Sequence, residues 1–272
     1  MSASDVKTPA HTIGVFDSGV GGLSVLHHIR MELPGESLIY IADSGHVPYG
    51  GKSHQFIEQR AHTLTRFLLS QGVDAVVIAC NTATAAAATS LRSRFGIPIV
   101  GMEPAVKPAI GASRNGVVGI LATVGTIESA RFAALLERYA GDVKIVTQGC
   151  PGLVEQVEQG ALTGPRTRGL IERYTEPLLS QGADTIILGC THYVFLASLI
   201  QEVVGTGVAL IETGDAVARH LHHRIRSELT VRSGLGSTTR FFTSGDVNAA
   251  SDIISKLWGS KVATQQLPDA YL

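Results

Sequence analysis

Two cysteines occupy the same place in a stretch that the chain contains twice. The first copy runs from Leu68-Leu69-Ser70-Gln71-Gly72-Val73-Asp74 to Cys80-Asn81-Thr82, the second from Leu178-Leu179-Ser180-Gln181-Gly182-Ala183-Asp184 to Cys190-Thr191-His192. A thiolate can remove a proton and a thiol can supply one. Two of them flanking one ligand fit a symmetric reaction, the inversion of a single carbon centre, with one proton leaving and another arriving from the opposite face. Each thiol then needs a neighbour to manage its own proton. Asp17 or Asp43 is available to Cys80; His192, two residues past Cys190, is available to that thiol, with Glu158 as a further helper. The hydroxyls and amides of Ser18, Asn81, Thr82, Thr123, Thr126 and Thr191 suit the carboxylates of an amino acid. Buried cysteines are commonly structural. Cys150, which precedes Pro151 and has no counterpart in the repeat, reads that way. A repeat that keeps cysteine, then small polar residues, just past an apolar run points Cys80 and Cys190 to chemistry instead.

The elements that must position these groups follow from the pattern around them. Each copy reads as a helix end, a turn at Ser-Gln-Gly and a short aliphatic run, which predicts a strand buried on both faces. Both cysteines then sit at carboxyl ends of strands, where open α/β sheets bind ligands. Ile13-Gly14-Val15-Phe16 predicts another strand, followed by Asp17-Ser18-Gly19-Val20-Gly21-Gly22 and a helix from Leu23. Ser24 stands where a dinucleotide fingerprint has its third glycine, so this loop reads as backbone N–H groups aimed at a carboxylate. Leu38-Ile39-Tyr40-Ile41-Ala42 leads to Asp43 and the loop Val47-Pro48-Tyr49-Gly50-Gly51, either a surface turn or a substrate contact. Cys80 precedes an alanine-rich helix over 85–94, whose dipole is expected to lower the thiol pKa. Aligning Gly119 with Gly14 makes 117–126 a second first-strand and sets Thr123 opposite Ser18, so two similar α/β halves face each other. Later elements are a strand at 208–211, a helix over 216–226 with a solvated face bearing His220, His222 and His223, a strand at Phe241-Phe242-Thr243, and a helix over 246–258. The polar tail from Gly259 is expected to fray.

At 272 residues the chain is comfortable for two domains. Lys plus Arg (22) nearly balance Asp plus Glu (23), which argues against nucleic acid as the main partner. No apolar run approaches the roughly 20 residues of a membrane span, and the polar start, 1–11, lacks a signal-peptide core. A cytoplasmic location is expected, with three free thiols. No metal, pyridoxal phosphate or nicotinamide motif stands out.

Asp17-Ser18-Gly19-Val20-Gly21-Gly22, Val47-Pro48-Tyr49-Gly50, Ala79-Cys80-Asn81-Thr82-Ala83-Thr84 and Gly189-Cys190-Thr191-His192-Tyr193 resemble the signature blocks of bacterial glutamate racemase. The resemblance extends from Ile13 to about Trp258. It implies an isomerase without a cofactor that makes D-glutamate for peptidoglycan, and so serves cell-wall biogenesis and cell shape. It also implies two pseudo-symmetric α/β domains, each a mainly parallel sheet flanked by helices, with the active site in the cleft between them. The first domain would be 12–104 plus 212–258 and the second 105–211, with polar termini at 1–11 and 259–272 and a homodimer as one possible assembly. Carried over, Cys80 is the base for D-glutamate, assisted by Asp17; Cys190 is the base for L-glutamate, assisted by His192 and Glu158. Ser18, Pro48, Tyr49, Gly50, Asn81, Thr82, Thr123 and Thr191 match substrate-holding positions. Two departures lie beside the second thiol: Val194 stands where proline is frequent, and Glu155-Gln156 where Pro-Leu is. Two other functions use the same residues. A related two-thiol racemase could act on aspartate or a hydantoin, and a two-lobed amino-acid-binding protein would have a similar cleft but leaves the paired cysteines unexplained.

Overall fold

In β1 (Thr12–Asp17), Ile13 and Val15 belong to one core cluster and Phe16 to another, all fully buried. A strand covered on both faces needs the unbroken apolar run seen here, and such strands build parallel sheets. The computed structural model describes residues 11–230 and 237–272, so the polar start at 1–10 lies outside the described residues.

The remaining strands are β2 (Ser37–Ala42), β3 (Ala75–Ile78), β4 (Ile99–Val100), β5 (Val117–Ala122), β6 (Lys144–Gly149), β7 (Thr185–Leu188), β8 (Ala209–Ile211), β9 (Thr239–Thr243) and β10 (Thr264–Gln266). They form a six-stranded sheet ordered β10-β9-β2-β1-β3-β4 and a four-stranded sheet ordered β6-β5-β7-β8. Every pairing is parallel. The run β2-β1-β3-β4 has the same order as β6-β5-β7-β8, so the repeat is one of topology as well as of residues. The chain leaves the first sheet between β4 and β5 and returns with β9.

The registers tie the halves together residue by residue. Gly14 pairs with Val76 across β1 and β3, and Gly119 with Ile186 across β5 and β7. A Cβ on Gly14 would stand 2.8 Å from Leu68 Cδ1, and one on Gly119 2.8 Å from Leu178 Cδ1. These leucines open the two copies of the repeat, so each helix end seats against a glycine of its own central strand. One core cluster runs from the first sheet (Val15, Tyr40, Val77) to the second (Leu121, Ile186, Leu188), joining the halves through apolar contact.

Several elements differ from expectation. The helix expected from Ala85 begins at Asn81 and runs Asn81–Arg94, because the Cys80 thiol accepts the Ala83 N–H and caps it. Residues 81 and 82 are thereby drawn into the first turn. Strand β6 went unread: it is a sheet edge, and Lys144, Thr147 and Gln148 interrupt its apolar pattern. The tail does not fray. β10 adds a parallel edge to β9, Leu267 is 1% exposed, and the Tyr271 ring meets Phe67 edge-on at 5.2 Å. Two residues just past the strand, Leu267 and Tyr271, supply the apolar contact that docks an otherwise polar segment. No helix among the described residues is long and apolar enough to cross a membrane.

If the tail contributes to the core, Leu267→Ala should cost about 2–4 kcal/mol in urea denaturation, as other buried leucines do. A change within about 0.5 kcal/mol, typical of surface sites, would show that the tail is not docked.

Candidate active site

The carboxyl ends of β1, β3, β5 and β7 converge on one narrow cleft. Cys80 follows β3 and Cys190 follows β7. Their backbones match, at φ −141°, ψ 123° and φ −140°, ψ 134°. Both thiols line the cleft, together with Ser18, Pro48, Tyr49, Gly50, Asn81, Thr82, Thr123, Thr126, Thr191 and His192.

Around Cys80 the polar groups form a short line. Its Sγ lies 3.8 Å from Ser18 Oγ, which in turn lies 3.3 Å from Asp17 Oδ1. The carboxylate also accepts the Ser18 N–H at 2.7 Å and, through Oδ2, the Gly22 N–H at 2.7 Å. Burial drives the Asp17 pKa up; His192 and the Gly22 N–H pull it down and Glu158 raises it, with a net rise. Burial and then the Asp17 charge push the Cys80 thiol well up, against the Ala83 N–H. The expected depression at a helix N-terminus is therefore reversed, because desolvation of a fully buried thiolate outweighs one backbone donor.

Cys190 has a different neighbour. Its Sγ is 3.8 Å from His192 Nδ1, and His192 Nε2 is 2.7 Å from Glu158 Oε1. Asp17 Oδ2 is 3.9 Å from the same Nδ1. Burial alone would lower the His192 pKa. Hydrogen bonds with Cys190 and Glu158 and the charge of Asp17 outweigh it, and the imidazole is held well above 6.5. The second thiol thus faces an imidazolium held between carboxylates, an arrangement that stabilises thiolate charge.

The second alternative partner of Cys80 is otherwise engaged. Asp43 accepts two bonds from the Arg60 guanidinium, at 3.0 and 2.7 Å, and the Tyr49 hydroxyl at 2.5 Å. Burial would raise its pKa, but these donors hold it below the usual carboxylate range. Asp43 therefore anchors the Pro48-Tyr49-Gly50 loop instead of serving the thiol. That loop packs across the cleft: a Cβ on Gly50 would stand 3.0 Å from Thr123 Cβ. Thr82, Thr123 and Thr126 form a triangle of hydroxyls 2.9–3.1 Å apart that spans both halves. Beside it, the side-chain amide of Asn81 is 5% exposed with neither its oxygen nor its nitrogen hydrogen-bonded. A buried amide without a partner is costly unless a ligand satisfies it.

The model of the Asp/Glu/hydantoin racemase family matches residues 13–221. Glutamate racemase of Ectopseudomonas mendocina is 56% identical over 250 residues, covering 92% of this chain and 95% of that one. The chain belongs to the glutamate racemases of the Asp/Glu/hydantoin racemase family. Among solved structures, glutamate racemase isoform RacE1 from Bacillus anthracis superposes with a TM-score of 0.87 at 32% identity, covering 96% of this chain and 98% of that one. Escherichia coli glutamate racemase, in complex with L-glutamate and the activator UDP-MurNAc-Ala, superposes at 0.84 and 32% identity, covering 95% and 98%. The fold is that of a two-domain α/β racemase, and the chain is an isomerase.

All the residues singled out from the sequence as site residues meet in or beside this racemase cleft except Asp43, which sits behind Tyr49. Asp17 and Glu158 lie behind the lining, reaching it through Ser18 and His192. The Glu155-Gln156 departure leaves the helix Leu153–Glu158 intact: Gln156 turns inward, and Thr167 Oγ1 donates to its Oε1 at 3.3 Å. Val194 packs half-buried against the core. Cys150 is buried outside the lining, its Sγ donating to the Gln148 carbonyl at 3.3 Å and its thiol pushed up by burial. Val154 and Gly189 line the cleft unannounced, since an aliphatic residue and a glycine carry no chemical signature.

A raised histidine pKa has a defined consequence for stability. The unfolded ring titrates near 6.5, and the folded ring well above it. The associated stabilisation is complete below the unfolded value and is lost as pH rises through the folded one. The stability difference between the wild type and His192→Asn should therefore shrink as pH is raised above neutral, followed by urea denaturation. In the wild type, ¹⁵N spectra should show one imidazolium persisting above pH 7 that is missing from the variant; a ring neutral at pH 7 would contradict the assignment.

Proposed function

We propose that this racemase interconverts L- and D-glutamate by two-base proton transfer between Cys80 and Cys190. The observation that carries the reading is the pair of thiols at equivalent strand ends of one cleft, each with its own proton-managing group. In the L-to-D direction the Cys190 thiolate, paired with the His192 imidazolium, takes the α-proton. The Cys80 thiol, kept protonated by burial and by Asp17, delivers a proton to the opposite face. The products are D-glutamate, a Cys80 thiolate and a Cys190 thiol, which is the form that accepts D-glutamate. Ser18 and Asp17 relay the proton at Cys80, and His192 and Glu158 at Cys190.

The substrate is held by groups that the cleft leaves free. The Asn81 amide and Thr191 serve the amino-acid head, and the hydroxyl triangle with the Tyr49-Gly50 backbone serves the second carboxylate. These assignments draw on the relatives' names and on the unpaired amide. We take the two domains to be 12–104 with 212–258 and 105–211, and β10 joins the sheet of the first. D-glutamate made in this way would supply peptidoglycan in the cytoplasm.

Cys80→Ala and Cys190→Ala should each lower net racemisation by about 10²–10⁴-fold, the usual scale for a positioned acid or base. In heavy water Cys80→Ala should exchange the α-hydrogen of L-glutamate without inversion, and Cys190→Ala that of D-glutamate, followed by NMR and chiral chromatography. Wild-type racemisation by either variant would end the two-thiol mechanism. Glutamate binding without exchange in the wild type would favour a binding protein, and faster turnover of aspartate another substrate. Because both proton positions are side chains of the protein, activity should survive EDTA and exhaustive dialysis, and loss restored by a divalent metal would refute this.

A further inference from the structure

The loop Asp17–Gly22 carries three glycines, and none of the three has the positive φ that demands glycine. Their reason lies in what occupies the space beside them. A Cβ on Gly19 would overlap the Glu158 carboxylate, and a Cβ on Gly21 would overlap the His192 ring. Both side chains come from the other half of the molecule. Between these glycines the Val20 N–H donates to Glu158 Oε1 at 2.7 Å, the oxygen that also meets His192 Nε2. The loop is itself held from behind, because the Tyr40 hydroxyl donates to the Gly19 carbonyl at 2.7 Å.

A second contact converges on the same helix. Lys256, on the helix Val247–Trp258, donates from Nζ to the Gly160 carbonyl at 2.8 Å. Gly160 lies two residues beyond Glu158, at the carboxyl end of Leu153–Glu158, where a cation is favoured. The first half thus holds the helper carboxylate of the second half directly, through Val20, and fixes its helix end through Lys256.

We propose that Gly19, Val20, Gly21 and Lys256 of the first half are positioning residues for the Cys190–His192–Glu158 relay of the second. This rests on the two-thiol reading above. The anion met by the glycine loop is the protein's own carboxylate, and the second thiol is fully equipped only when the halves are seated on each other. The first thiol, whose partners Ser18 and Asp17 lie in its own half, does not depend on this contact in the same way.

The test is a directional one. For a racemase the two directions must lose kcat/KM equally, since the equilibrium constant is one, so steady-state rates alone cannot separate the thiols. Gly21→Ala has no backbone strain to confound it. It should lower net racemisation by about 10²-fold, the scale of a misplaced catalytic group. In heavy water it should lose α-deuteration of L-glutamate while keeping deuteration of D-glutamate without inversion, a partial copy of Cys190→Ala. The His192 ring titration should move down towards its ordinary value as the ring is displaced from Glu158, and retained deuteration of D-glutamate separates this from general loosening, which would slow both exchanges. Lys256→Met, at an exposed side chain, should show the same asymmetry to a smaller degree. Equal loss of exchange from both enantiomers with an unmoved His192 titration would overturn the proposal. If Gly21→Ala does not fold, Lys256→Met decides, and wild-type exchange of both enantiomers would overturn it. Cys190→Ala is the control: if it shows no preference for exchanging D-glutamate, the two-thiol reading has failed; if it does and Gly21→Ala is symmetric, only the positioning role has.

Discussion

One carboxylate oxygen, Glu158 Oε1, is shared between a backbone N–H of one half and a histidine of the other. Around it lies a buried cluster of two carboxylates and one imidazole, with Asp17 and His192 both essentially without solvent contact. Charges in such a place are tolerated only when paired and hydrogen-bonded. The balance decides how protons are held. At His192 the carboxylates and the thiol win over burial, so the ring keeps its proton. At Asp17 burial outweighs the histidine and the loop N–H groups, and the pKa is raised above the ordinary carboxylate value. The cluster lies beside both sulfurs of the cleft, reaching Cys80 through Ser18 and Cys190 through His192.

The repeat makes the scaffold symmetric, and the side chains around the sulfurs make the chemistry asymmetric. Both cysteines leave parallel strands with nearly the same backbone angles, yet Cys80 caps a full helix while Cys190 opens a 3-10 turn, Thr191–Leu196, without a side-chain cap. Cys80 looks through a serine to a carboxylate; Cys190 looks at an imidazole. Burial pushes the first sulfur towards its thiol form, and the second lies opposite an imidazolium.

How much of this could be read in the chain follows from how local each cause is. The strands β1, β3, β5 and β7 and the sulfurs after β3 and β7 were legible, because burial on both faces imposes aliphatic runs and the turn Ser-Gln-Gly marks the starts of β3 and β7. The equivalence of Gly14 and Gly119 was legible too, and its cause is the seating of Leu68 and Leu178. What could not be read depends on contacts between distant segments. The glycine loop invited an external anion, but Glu158, 138 residues from Val20, supplies it from within. The thiol pKa invited a helix-dipole argument, but full burial reversed its sign. Asp43 read as an alternative to Asp17 beside Cys80, but Arg60 and Tyr49, neither marked by spacing, occupy its oxygens.

The Asp43 cluster has its own part in the cleft. Arg60 bridges three segments: it donates to Asp43 and, at 3.1 Å, to the carbonyl of Tyr271 near the carboxyl end. Tyr49, hydrogen-bonded to the same Asp43, begins the 3-10 turn Tyr49–Gly51, whose Gly50 meets Thr123 of the opposite half. The tail that was expected to fray thus supports, through one buried arginine, the loop that packs across the cleft. Each side of the cleft is fixed by a charged residue with partners on separate segments: the buried Arg60 behind the Pro48-Tyr49-Gly50 loop and the half-buried Glu158 behind the second thiol. Buried ion pairs of this kind contribute little net stability against apolar packing, but removing one partner leaves an uncompensated charge. Their value here is geometric, since they hold a hydroxyl triangle and two sulfurs in register across a seam between halves that the chain crosses only twice.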